Sequence, residues 1–279
     1  MSSAEEFVRA GDLQGALADL TARVRSQPAD PRLRVFLFQL LAVTGQWERA
    51  LTQLKVAGDL DAANVAMVRT YQEALRCEVV RAAVFRGETT PMVFGQPAEW
   101  IALLVEALRL TAKAQYEEAR TLRDKALEQA PAVPGVIDGQ PFEWLADADS
   151  RLGPVLEAIV NGRYYWIPFG HIRAIKLESP SDLRDLAWTP ALLTLTNGGE
   201  TVALIPTRYP GSESAPDPRL VMARATEWQE QPGDTFLGSG QRLLATNQGE
   251  YGLLDARLIE IHAPAEASPP ESVSNGASA

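Results

Sequence analysis

Gly11-Asp12-Leu13-Gln14-Gly15-Ala16 and Gly45-Gln46-Trp47-Glu48-Arg49-Ala50 decide the fold of the N-terminal half, because one turn is met twice. Gly11 and Gly45 lie 34 residues apart, as do Ala16 and Ala50. That period, with small residues at matching offsets, is the signature of a tetratricopeptide helix pair. Such pairs stack into curved surfaces that hold other polypeptides. The first half therefore points to binding.

Working outward, Ala4, Phe7, Ala16, Leu20 and Pro28 give the first unit its small, large, small, large and helix-stopping residues. The second unit keeps Leu41, Ala50, Leu54 and Ala57, with Phe38 at a normally small position. A third match sets Ala119 against Ala50, 69 residues on, and Ala107, Leu110, Ala126 and Pro131 fit with it. Small residues let the two helices of a unit approach, large ones fill the next unit's groove, and proline ends the second helix. Between the second and third units, 64–86 reads as a non-repeat helix stopped by Gly87, followed by a loop through Pro97. Residues 32–41 are apolar almost all round, the mark of a helix buried between neighbours.

The character changes near Pro131-Ala132-Val133-Pro134-Gly135. One short helix is expected next, with Pro154 in its first turn and Asn161-Gly162 as its left-handed cap. Strands are expected over 164–169, 172–177, 192–196, 201–205, 220–228, 242–246 and 253–261, with Asn197-Gly198-Gly199 as a hairpin turn. The fold class is thus α+β: a tetratricopeptide-like helical domain over 1–134, then an antiparallel β-rich domain over 135–262, either a small barrel or a twisted sheet. The remainder, 263–279, with Ser-Pro-Pro-Glu-Ser and little apolar content, is expected to be disordered.

Charge narrows the partners. Residues 1–139 carry 16 basic against 18 acidic side chains, and 140–279 carry 10 against 18. No basic stripe exists to release counterions from a polyphosphate, which argues against nucleic acid. The N-terminus lacks the basic and apolar regions of a signal peptide, and the longest apolar stretch, 35–43, is too short to span a bilayer. With one cysteine, Cys77, no internal disulfide can form. These features suggest a soluble cytoplasmic protein without a membrane partner.

Catalytic groups are scarce. His171 and His262 are the only histidines and have no metal-ligand spacing. Gly238-Ser239-Gly240 lacks the rest of a phosphate loop. No cofactor, metal ligand or catalytic residue is assigned. The enzymatic alternative rests on Asp138, Glu143, Asp147, Asp149 and Glu157, a carboxylate set that could serve a metal-assisted hydrolase centred on Asp147 and Asp149. Against it stands helix capping and pairing with Arg151 or Arg163. The aromatic run Tyr164-Tyr165-Trp166 alternates on a strand, sending Tyr164 and Trp166 to one face and Tyr165 to the other.

Arg34-Val-Phe-Leu-Phe-Gln-Leu-Leu, Gly45-Gln-Trp-Glu-Arg-Ala, Asp138-Gly-Gln-Pro-Phe-Glu-Trp, Asp147-Ala-Asp-Ser-Arg-Leu-Gly-Pro-Val-Leu-Glu, Gly162-Arg-Tyr-Tyr-Trp-Ile-Pro-Phe and Ile205-Pro-Thr-Arg-Tyr-Pro-Gly-Ser closely resemble the ImpE/TagJ family, also called the SciE type. The resemblance covers about residues 3–260. It implies a non-enzymatic cytoplasmic adaptor of bacterial type VI secretion. Such proteins bind the N-terminal helix of the small contractile-sheath subunit (TssB/VipA type) and associate with the ClpV-type AAA+ ATPase that recycles the sheath. No partner contact carries over residue by residue, so the candidate site comes from the repeat frame. The first helix of each unit lines the concave side, which selects Arg32, Val35, Gln39 and Ala42, with Ile101, Leu104 and Leu108 from the third unit. These residues suit a helix laid in a groove. They are core instead if the compact domain folds the groove shut.

Overall fold

The computed structural model describes residues 3–96 and 98–262. The expected tail over 263–279 lies outside the described residues. Seven helices come first. The first pair is α1 (Ser3–Ala10) and α2 (Leu13–Ser26), and the second is α3 (Pro31–Val43) and α4 (Trp47–Leu60). Then α5 (Val65–Phe85) stands alone, before the pair α6 (Glu99–Ala112) and α7 (Tyr116–Gln129). The three pairs are the three repeat units. Ala16, Ala50 and Ala119, at the same frame position, are all fully buried. Gly11 and Gly45 turn the first two pairs at φ +83° and +66°, a left-handed backbone that glycine adopts without steric cost. The third pair turns on Ala114 at φ +58°, at the frame position the glycines hold, so the turn geometry survives where its usual residue does not.

Leu20 and Leu54 are fully buried, and the residue in the same frame position of the third unit is Arg123. Its guanidinium, buried, donates to Gly233 O at 2.8 Å, Asp234 O at 3.0 Å and Thr235 Oγ1 at 3.1 Å. The repeat thus ends by gripping the other half of its own chain.

A first short strand, β1 (Met92–Val93), lies inside the loop expected between α5 and α6. The strands after α7 are β2 (Gly135–Ile137), β3 (Gln140–Phe142), β4 (Leu145–Asp147), β5 (Val155–Val160), β6 (Arg163–Pro168), β7 (Ile172–Leu177), β8 (Trp188–Leu195) and β9 (Glu200–Pro206). After the four-residue helix α8 (Pro218–Val221) come β10 (Thr226–Gln231), β11 (Thr235–Gly240), β12 (Leu243–Thr246), β13 (Gly249–Gly252) and β14 (Leu258–Ile261). Nine strands form one open sheet in the order β1-β6-β5-β9-β8-β7-β14-β2-β3. It is antiparallel throughout except where β1 joins β6 in parallel. A three-stranded sheet β13-β12-β4 and the hairpin β10-β11 complete the β-rich region.

Three expectations are corrected, the first being the strand expected over 253–261, which starts only at Leu258 after a turn. The short helix before Asn161-Gly162 is strand β5, all six of whose residues are buried. A strand covered on both faces has no polar alternation to betray it. Asn161 and Gly162, at φ +48° and +71°, are the two-residue turn of the β5–β6 hairpin instead of a helix cap. The strand expected over 220–228 starts only at Thr226, because Asp217 caps α8 by accepting from Arg219 N–H at 2.8 Å, with Pro218 at the first helical position.

Two apolar cores result. One lies beneath the sheet and is built from β-region residues such as Ile137, Leu156, Ile167, Leu193 and Ile259. The other is shared: Leu41, Leu54, Tyr71 and Leu104 from the helices meet Val155, Trp166 and Trp188 from the sheet. Trp188 sits between Trp47 and Tyr71, with ring centroids 6.0 and 5.8 Å away. Tyr164 and Trp166 face this shared core, and Tyr165 meets Phe94 on the opposite side, as strand alternation requires. The chain changes from helix to strand between Gln129 and Gly135, yet the core crosses that boundary.

Candidate binding site

Arg32, Val35 and Gln39 come together on α3, spaced by one turn and then one turn again. They line a cleft of about 540 Å³ at the end of the helix stack where α3 begins. Phe36 lies beside Val35, and Glu5 of α1, Arg23 of α2, and Asp61 and Asn64 from the α4–α5 junction complete the helical side. Asp182 closes it from the β-rich half. Local caps fix this wall. Asp30 accepts from Arg32 N–H at 2.8 Å, Asp61 from Ala63 N–H at 2.9 Å, and Asp182 pairs with Arg184, whose guanidinium lies 4.8 Å from the Tyr71 ring centre. The lining is mostly polar, with Val35 and Phe36 as a small apolar patch among charges of both signs, a surface that can take apolar anchors of an amphipathic helix while its polar flanks stay solvated.

The other four residues selected by the repeat frame lie elsewhere. Ala42, Ile101, Leu104 and Leu108 are 0–2% exposed and belong to the shared core. The reason is α5, which packs between α4 and α6 and interrupts the continuous inner face of a plain repeat stack. Phe36 and the acids Asp61 and Asp182 are what the frame missed. Phe36 is hidden in a helix apolar almost all round, and Asp182 arrives from some 150 positions away with no sequence signal.

The carboxylates singled out for chemistry meet arginines. Glu157 of β5 accepts from Arg81 Nε of α5 at 2.8 Å, from Arg242, and from the Tyr164 hydroxyl. Arg242 bridges Glu157 to Asp147. Asp149 accepts from Arg151 Nε and the Arg151 N–H, both at 2.8 Å, and from Gly238 N–H at 2.7 Å. Glu78 of α5 takes the Trp188 indole N–H at 2.8 Å. Arg81 also donates to Arg208 O at 2.8 Å, and Arg208 to Val43 O at 2.7 Å. Arg163 has no place in the cluster: it is exposed. Asp138 accepts from the backbone of Arg257 and Leu258, and Glu143 is exposed. Glu157, Asp147 and Asp149 thus direct every carboxylate oxygen at a donor of their own chain, an arrangement that links α5 to β5 and, through Arg242 just before β12, to β4. None of the described residues forms a group of three or more His, Cys, Asp or Glu placed to hold a metal ion.

Electrostatics follow the geometry. Burial pushes the Glu157 carboxyl up, but Arg81 and Arg242 outweigh it and hold it down to about 2, against an ordinary 4.5. At Asp147 burial wins over Arg242, and the carboxyl rises from 3.8 to about 6. The two act oppositely on stability. Glu157 contributes stability above its ordinary value and loses it as pH falls toward about 2. Asp147 binds its proton more tightly folded than unfolded, so its contribution declines as pH rises from 3.8 to about 6. Urea unfolding across this range should therefore show Asp147→Asn with a stability curve that falls less than wild type between those two pH values. Parallel curves would show that Asp147 does not titrate there.

The remaining candidates are placed simply. Cys77 is buried, with its thiol on Gly162 O at 3.4 Å, and burial pushes it up to about 12, which keeps it a thiol. His171 Nδ1 lies 2.9 Å from Phe94 O. Gly238-Ser239-Gly240 is the end of β11. No helix among the described residues is long and apolar enough to cross a membrane.

A family model described as ImpE protein matches residues 139–260. The chain is 55% identical over 257 residues to the type VI secretion system accessory component TagJ of Pseudomonas aeruginosa, covering 92% of this chain and 90% of that protein. The crystal structure of protein VPA1032 from Vibrio parahaemolyticus superposes with a TM-score of 0.85 at 21% identity, across 95% of this chain and 99% of that one. That last likeness concerns the fold.

Proposed function

This chain belongs to the ImpE/TagJ family, and from that premise we propose that it is a non-enzymatic cytoplasmic adaptor of type VI secretion. In this reading it captures the N-terminal helix of the small contractile-sheath subunit (TssB/VipA type) and assists a ClpV-type AAA+ ATPase in recycling contracted sheath. The helical half over 1–134 presents the helix, and the β-rich half over 135–262 braces it. The observation that carries the reading is the open cleft on α3, where Val35 and Phe36 supply apolar contact and Arg23, Arg32, Asp61 and Asp182 supply a charged rim. A helix lying there would bring apolar anchors at i, i+3 or i+4, and i+7.

Calorimetric titration with a peptide of the sheath subunit's N-terminal helix tests this. Val35 is half-buried on the cleft wall, so Val35→Asp should weaken the peptide by about 1–3 kcal/mol while melting stays near wild type. Saturable binding of the wild type is expected first, together with a rise in melting temperature on adding peptide and no such rise with Mg²⁺ or Ca²⁺. Undiminished binding by a folded Val35→Asp protein would move the site off α3. Stabilisation by the metals alone would favour a carboxylate-dependent hydrolase.

A further inference from the structure

Gln39 is the one polar residue in the apolar run from Val35 to Val43, and it does not sit on a solvated face. It is 6% exposed, yet it lines the cleft where α3 begins. Among the described residues no donor or acceptor meets its side-chain amide. The polar atoms sealed inside without a partner are on Asp19 and Arg184, so the Gln39 amide opens onto the cleft. An amide carried this deep and given no bond by its own fold is costly unless something outside supplies one. A leucine there would continue the pattern of Leu37, Phe38, Leu40 and Leu41 without that cost.

The cations of the cleft are in the same condition. Neither Arg32 nor Arg23 pairs with a carboxylate among the described residues. The acids are occupied: Asp182 meets Arg184 at 2.5 Å, and Asp61 accepts from Ala63 N–H at 2.9 Å. Arg32 stands seven residues before Gln39, about 10.5 Å along the helix, with Val35 and Phe36 between them. One side of α3 thus offers an unanswered cation, an apolar step and an unanswered amide, in that order.

We propose that these groups fix the register of the captured helix. It carries a carboxylate that meets Arg32 and Arg23, an apolar anchor on Val35 and Phe36, and a neutral polar side chain that bonds the Gln39 amide. This rests on the reading of the cleft as a helix-capture site and adds the chemistry by which the cleft selects. A triplet of that kind at i, i+3 or i+4, and i+7 falls on one face of a helix. The amide both donates and accepts, so asparagine, glutamine, serine or threonine can answer it. A helix of any other pattern would cover Gln39 and leave it unbonded, and that penalty is the discrimination.

The test titrates the full chain calorimetrically with a peptide of the sheath subunit's N-terminal helix, and with versions in which each Asp or Glu in turn becomes Lys. Gln39→Leu should bind the parent peptide roughly tenfold more weakly and melt no lower than wild type, because no bond of the fold is lost. Arg32→Glu should weaken the parent by a similar factor. One Lys peptide should then bind Arg32→Glu roughly tenfold tighter than it binds wild type, and a neutral polar residue should lie seven positions from the exchanged acid. Gln39→Leu melting several degrees below wild type would place the amide in the fold and overturn the proposal. If wild type binds the parent but Gln39→Leu binds it equally well, or no Lys peptide prefers Arg32→Glu, helix capture stands and the register rule falls. If the rescued acid has no neutral polar residue seven positions away, the rule falls as well. A wild type that does not bind the parent peptide removes the capture itself, and the rule with it.

Discussion

Glu157→Ala is expected to destabilise the fold by about 3–5 kcal/mol, because it strips the counter-ion from two arginines that water cannot reach. Glu157, Arg81 and Arg242 are all within the interior, with Glu157 and Arg242 fully covered. Taking one acid away leaves Arg81 and Arg242 to share Glu78 and Asp147, and leaves the Tyr164 hydroxyl without its acceptor. In a chain of this size that corresponds to a fall in melting temperature of roughly 6–20 °C. Urea unfolding gives the free energy directly. The loss should be shared with Arg81: Arg81→Leu alone is expected to cost a similar amount, and the double variant clearly less than the sum. Additive losses would mean that the pair does not act as one unit. A Glu157→Ala protein melting within a couple of degrees of wild type would show that solvent enters the cluster and that the two halves are held by apolar packing alone.

This cluster also marks where sequence reasoning stops. The repeat frame was legible because glycine, alanine and leucine recur at fixed offsets, and every helix of the three pairs follows from it. Hairpins with polar faces, such as β8–β9 around Asn197-Gly198-Gly199, were legible for a similar reason. Strand β5 was not, since Val155-Leu156-Glu157-Ala158-Ile159-Val160 is buried on both sides and carries no period of two. Its one charged residue looked like a surface or catalytic acid. Which base would answer it could not be read either: Arg81, 76 positions earlier, and Arg242, 85 later, look in sequence like ordinary solvated arginines. Helical spacing placed Arg32, Val35 and Gln39 along one side of α3, where they line one cleft, whereas the burial of Ala42 on the same helix and of the α6 residues required knowing how the helices pack on the sheet and on α5.

Leu104→Asp is expected to cost several kcal/mol and to leave little folded protein at neutral pH, because the position offers neither water nor a cation. Leu104 is 2% exposed on α6, within the apolar core shared by helices and sheet. The shape change alone, read from Leu104→Ala, should cost about 2–5 kcal/mol. The charge adds to it, and the addition has a signature. An aspartate buried without a partner holds its proton above its ordinary range, so the extra loss should grow as pH rises and shrink toward acid. Comparing the Asp and Ala variants by urea unfolding at several pH values isolates that part. The contrast with Val35→Asp is what decides the site: one variant should unfold the protein, and the other should leave it folded and impair the peptide. If Leu104→Asp instead melts close to wild type and loses the peptide, α6 opens to the partner and the binding face extends across the third repeat. If it melts close to wild type and still binds, neither the core nor the binding face includes Leu104, and the packing of α6 against the shared core is refuted.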